Sequence, residues 1–136
     1  MNLPIDLKLL KPGDRLPVLT RRIAQERINE YADASGDHNP IHLDPAFARQ
    51  TALGGTVAHG MLVLAYVSEH LTGLFRDRWT RGGRLTARFK DAARPGDTVT
   101  VSGTVTRLEG NKLTCDVQVR NQQGEPVILC EATVEV

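Results

Sequence analysis

The sequence predicts an α+β chain in which an antiparallel sheet wraps around one long helix. Three observations carry that prediction. Apolar residues recur at helical spacing up to about Phe75 and with a period of two from Arg84 onward. The stretch from about Gly60 to Leu71 is apolar nearly all round (Met61, Leu62, Val63, Leu64, Ala65, Tyr66, Val67), as expected of a helix buried on most sides. No other segment is apolar enough to fill the face that a run of half-buried strands must cover.

The first half reads as helices and loops around polar motifs. From Ile23 to Ala34, the residues Ala24, Ile28, Tyr31 and Ala32 form the apolar stripe of an amphipathic helix. Gly36 and Asp37 stop it, and Asn39-Pro40 is expected to keep the next residues out of helix. Asp44-Pro45 reads as an N-cap followed by proline at the first helical position, opening a short helix through Arg49. Leu53-Gly54-Gly55-Thr56 is a turn leading into the apolar helix.

In the second half, Arg84 to Lys90 alternates apolar and polar residues. After the turn Arg94-Pro95-Gly96-Asp97, Thr98 to Leu108 alternates through Val99, Val101, Gly103 and Val105. Gly110-Asn111 and Gln122-Gln123-Gly124 are further turns. They separate strands over Leu113 to Arg120 and Val127 to Val136, which complete an antiparallel meander.

A length of 136 residues fits one domain spanning 1–136. Aromatics are 4% of the chain, so the core must be built from Val, Leu, Ile and Ala. A net charge of +1, with both signs interspersed and no basic arm, gives no field that points to nucleic acid or a membrane. Cys115 and Cys130 read as buried reduced thiols, with a disulfide as the alternative. Met1 to Asp6 lacks the charged start and long apolar run of a signal peptide, and Met61 to Val67 is too short to span a bilayer. A cytoplasmic enzyme or binding module is the expected class.

Two motifs stand apart. Residues 31–42 read Tyr-Ala-Asp-Ala-Ser-Gly-Asp-His-Asn-Pro-Ile-His, with Ala48 six residues on; residues 55–62 read Gly-Thr-Val-Ala-His-Gly-Met-Leu. The first resembles the signature of the MaoC-like dehydratases, also called (R)-specific enoyl-CoA hydratases or hydratase 2. The second resembles the entry to that family's central helix. Arg88-Phe89-Lys90 with Arg94-Pro95-Gly96-Asp97 resembles its strand pair, so the likeness covers nearly the whole chain. The resemblance implies a hot-dog fold, usually dimeric, and reversible addition of water to a trans-2-enoyl thioester, giving the (R)-3-hydroxyacyl product. It implies no metal and no bound organic cofactor, the acyl group arriving on coenzyme A or on acyl carrier protein. By motif position, Asp37 and His42 fall on the family's catalytic pair and Gly60 on its oxyanion-hole amide.

The residues suit those roles chemically. Hydration needs a base to take a proton from water as oxygen attacks C3, an acid to protonate C2, and donors for charge on the thioester oxygen. Asp37 accepts, and His42 can accept or donate, so both can aim at one water. Gly60 begins the buried helix, where its N–H has no intrahelical partner and no side chain blocks approach.

Each candidate residue has more than one reading. Asp37 could merely cap a turn and His42 sit in a loop, although the complete motif favours catalysis. Asn39 fixes the loop or touches substrate, and His59 caps the helix, braces the Gly60 turn, contacts substrate or acts directly in catalysis. Ser68, two turns beyond Gly60, reaches the site or packs within the helix; Leu62, Tyr66 and Leu71 are expected to line an acyl tunnel. His38, His42 and His59 suggest a metal, but His38 and His42 share a face only on a helix that Asn39-Pro40 forbids, so no metal site is expected. Glu69 raises the thioesterase branch of the hot-dog proteins, which uses a carboxylate on this helix; an exposed charged face is the simpler reading. Arg84, Arg88 and Lys90 could meet coenzyme A phosphates, though strand alternation explains them. A carrier-protein dehydratase, a thioesterase and a non-catalytic subunit are the competing functions. A homodimer is expected because one hot-dog leaves a sheet edge and a half-built pocket.

Overall fold

In the computed structural model, which describes residues 5–136, the chain runs through β1 (Arg15–Arg22), α1 (Gln25–Ser35), α2 (Pro40–Leu43), α3 (Pro45–Arg49), α4 (Gly60–Phe75) and α5 (Asp77–Gly82). It continues through β2 (Arg84–Phe89), β3 (Thr98–Glu109), β4 (Lys112–Arg120) and β5 (Pro126–Glu135). The stretch on which the signal-peptide expectation rests falls mostly outside the described residues. The strands make one antiparallel sheet in the order β1-β3-β4-β5-β2. Val63, Val67, Leu71 and Phe75 of α4 share one core with Val101, Val105, Leu113 and Ile128 of the sheet. Each such fully buried side chain contributes about 1.5–3 kcal/mol, so the sheet holds the helix by its apolar face.

Local chemistry sets the boundaries. Ile28 and Ala32 bury the stripe of α1, which ends where Gly36 takes a φ of 79° and donates its N–H to Ala32. Gly103 interrupts the valines of β3 because a Cβ there would lie 3.0 Å from Leu16 Cδ1 and 3.3 Å from the Asp116 carbonyl. Cys115 and Cys130 are buried and unbridged on neighbouring strands, and burial pushes both thiols up to about 11. No helix among the described residues is long and apolar enough to cross a membrane.

Several expectations need correction. β1 escaped the sequence reading because Pro17 and a bulge between Leu16 and Leu19 break its alternation, which an edge strand tolerates. Asn39-Pro40 does not exclude helix: Pro40 opens α2 at the position where no N–H is needed, and Asn39 caps it by accepting from the Ile41 N–H at 3.1 Å. Helix α4 runs on to Phe75, and α5 follows it. Nor is α4 buried on most sides; Met61, Ala65, Ser68 and Glu69 are exposed, because the sheet covers one side only. Finally, β2 and β3 are not a strand pair. Residues 90–97 cross over, with the Ala93 carbonyl accepting from Ala58 N–H at 2.8 Å, and β2 pairs with β5 instead.

Candidate active site

The end of α1 and the single turn of α2 bring Asp37 and His42 together. Asp37 Oδ1 accepts from the Asn39 N–H at 3.2 Å, an Asx turn that leaves Oδ2 without a hydrogen-bond donor among the described residues. His42 Nδ1 lies 2.7 Å from the Val57 carbonyl oxygen. A carbonyl only accepts, so Nδ1 carries a hydrogen, and in the neutral imidazole Nε2 is the lone pair. Nε2 faces Asp37 Oδ2 at 3.9 Å, with the His42 side chain 13% exposed and that of Asp37 53% exposed. That gap is too long for a direct hydrogen bond, but it suits one water at about 2.8 Å from each atom.

Residues that sequence reasoning missed hold this arrangement. Gln25 donates to the His42 carbonyl at 2.8 Å and accepts from Thr56 Oγ1 at 2.9 Å, clamping α2 to the 56–57 segment. Val57 N–H adds a bond to the Ile41 carbonyl at 3.2 Å. A backbone carbonyl has no sequence signature, and Gln25 carried only the weak signal of a polar residue at a helix start.

His59 sits at the N-cap of α4 yet makes no side-chain capping bond, which overturns the capping expectation. Its Nε2 instead donates to the Asp37 carbonyl at 2.9 Å, and its ring lies on that of His42, centroids 3.8 Å apart and planes 25° apart. Gly60 follows as the first helical residue, and neither its N–H nor that of Met61 meets an acceptor among the described residues. Phe89 lies across Gly60, its ring carbons 3.1 and 3.2 Å from where a Cβ would stand. A cavity of about 360 Å³ opens there, lined by Gly60, Val63, Phe89, Ala92, Ala93 and Val127 among others.

The remaining positions separate. Asn39 uses its side chain to cap α2. Leu62 and Leu71 are buried in the core, and Ser68 stands on the exposed face of α4. Tyr66 is half-buried beside charges of Arg27, Arg21 and Glu69, with burial raising its phenol above the ordinary value. Glu69 is held by Arg21, whose Nε lies 3.2 Å from Oε1 and whose terminal nitrogen bonds Oε2. Arg84, Arg88 and Lys90 are exposed.

Ligand atoms of Asp37, His42 and His59 lie within 4.8 Å of one another, whereas His38 turns away to Asp33. His42 Nδ1 and His59 Nε2 already donate to carbonyls, so a metal would need the other nitrogens. These lie in two nearly parallel rings and cannot converge in-plane on one ion at about 2.0–2.1 Å. The set fits a shared water better than a metal.

A family profile described as MaoC like domain matches residues 11–125. The (R)-specific enoyl-CoA hydratase of Aeromonas caviae is 32% identical over 124 residues, covering 87% of this chain and 90% of that protein. Part of the fatty acid synthase beta subunit hexB of Dothistroma septosporum is 34% identical over 120 residues. That match covers 82% of this chain but spans only 6% of the subunit. Among solved structures, the unliganded R-hydratase PhaJ1 from Pseudomonas aeruginosa superposes with a TM-score of 0.83 at 31% identity, covering 96% of this chain and 84% of that one.

Proposed function

This chain belongs to the MaoC-like domain family, with its hot-dog fold, and from that premise we propose that it is a hydro-lyase adding water reversibly to trans-2-enoyl thioesters to give (R)-3-hydroxyacyl thioesters. One observation carries the reading: the Val57 carbonyl holds His42 as the tautomer whose Nε2 lone pair faces Asp37 Oδ2 across 3.9 Å.

In this reading the pair holds one water. As its oxygen bonds to C3, a water proton passes to the pair and the π electrons move through C2 toward the thioester oxygen. The Gly60 N–H receives that charge, and the pair returns a proton to C2. Positioned acid–base groups contribute about 10²–10⁴-fold in rate, and one oxyanion donor roughly 3–4 kcal/mol. No metal or organic cofactor takes part.

The pairing of Glu69 with Arg21 weighs against a thioesterase, which would need that carboxylate free. Likeness to part of a fatty acid synthase subunit supports acyl carrier protein as the alternative carrier to coenzyme A. The open edges of β1 and β2, with Met61 57% and Phe89 53% exposed, support a homodimer. Purified protein should hydrate crotonyl-CoA or a longer trans-2-enoyl-CoA, read as loss of the enoyl thioester's ultraviolet absorbance. Release of free coenzyme A without hydration would transfer the case to a thioesterase.

A further inference from the structure

One buried side chain touches both members of the water-binding pair without belonging to it. His59 is 2% exposed. Its Nε2 donates to the Asp37 carbonyl, and its Nδ1 is buried with no partner among the described residues. A Leu or Phe here would remove the unpartnered Nδ1 but would also strip the Asp37 carbonyl of its donor, so it is that bond, and not packing alone, that calls for an imidazole. The face of the ring lies on His42, and Tyr31 packs against it with centroids 4.9 Å apart. The next residue is Gly60. One imidazole thus meets Asp37 through a hydrogen bond, His42 through its face, and the oxyanion amide through the chain.

We propose that His59 is a positioning residue that locks the Asp37–His42 water site in register with the Gly60 amide; the inference rests on the functional reading above. Its hydrogen bond fixes the backbone from which the Asp37 carboxylate projects. Its ring is the surface against which His42 is held while that ring gains the proton taken from water.

Two variants divide the roles: His59→Phe keeps a stacking ring and removes the donor, while His59→Gln keeps a donor and removes the ring. Each should lower kcat for enoyl-CoA hydration by about 10- to 100-fold, with KM little changed and circular dichroism reporting an intact fold. Unchanged kcat in both, or a fall that only tracks loss of folded protein, would overturn the inference. Imidazole nitrogen-15 spectra of the unmodified protein should assign the hydrogen of His59 to Nε2 and that of His42 to Nδ1. A hydrogen on His59 Nδ1 would overturn the inference whatever the variants do. An unmodified protein that hydrates no enoyl thioester would overturn the functional reading and this inference together, whereas an active one with insensitive variants overturns this inference alone.

Discussion

The Val57 carbonyl accepts a 2.7 Å hydrogen bond from His42 Nδ1, and this bond decides which nitrogen of the neutral imidazole is basic. Asp37 Oδ2 lies 3.9 Å from the other nitrogen. Asp37→Asn puts an amide against the water in place of an acceptor-only carboxylate, and His42→Gln removes the lone pair. Each variant should lose about 10²–10⁴-fold in kcat while remaining folded, and Asp37→Asn should also keep its thermal midpoint near that of the parent, since its side chain is 53% exposed. Steady-state kinetics beside thermal melts check this. Near-parental turnover in either variant would break the assignment.

Gly60 offers two things that can be separated, an N–H and an absent side chain. Gly60→Ala keeps the N–H but sets a Cβ about 3.1 Å from the Phe89 ring. Gly60→Pro meets the same ring and also lacks the N–H. Proline is well tolerated at the first helical position, and the His59 backbone before it, at φ −57° and ψ 134°, already suits a following proline. The ratio of kcat between the two variants therefore isolates the amide, and it should be about 10²–10³ in favour of alanine. Equal activities would remove Gly60 N–H from the oxyanion site.

His70 predicts how stability responds to acid. It is buried on α4, its Nε2 donates to the Pro17 carbonyl at 2.6 Å, and its Nδ1 has no partner among the described residues. Burial lowers its pKa below the ordinary value, and the bond to Pro17 only partly opposes this. Once pH falls below about 6.5, the unfolded chain takes up a proton at this residue that the folded chain refuses. This contribution to stability is therefore complete above that pH, is lost as pH falls, and stops changing below the lowered folded value. Thermal midpoints measured from pH 8 to pH 5 should begin to fall at about pH 6.5, and His70→Gln should remove part of that slope. A His70→Gln slope equal to the parent's would show that His70 is not the group responsible.

Much of the sheet was legible because alternation through Val99, Val101 and Val105 reports burial on one face directly. The meeting of Asp37 with His42 was legible because they lie five residues apart in one motif, so local backbone suffices to bring them together. What escaped depends on distant contacts. Pro17 and its bulge hid β1, and no residue pattern announces that β2 will pair with β5. The clamp by Gln25, the Val57 carbonyl and the closure of Phe89 over Gly60 exist only once α4 is docked. Proline at position 40 misled because its rule differs between a helix interior and a helix start.

One measurement bears most directly on a single water shared by Asp37 and His42. The protein is incubated with a trans-2-enoyl-CoA in deuterium oxide, and the product is analysed at C2 and C3. The account predicts an (R)-3-hydroxyacyl-CoA with one deuterium at C2 on the face to which the hydroxyl added, and no free coenzyme A. Hydroxyl and deuterium on opposite faces, or free coenzyme A with the double bond intact, would contradict it.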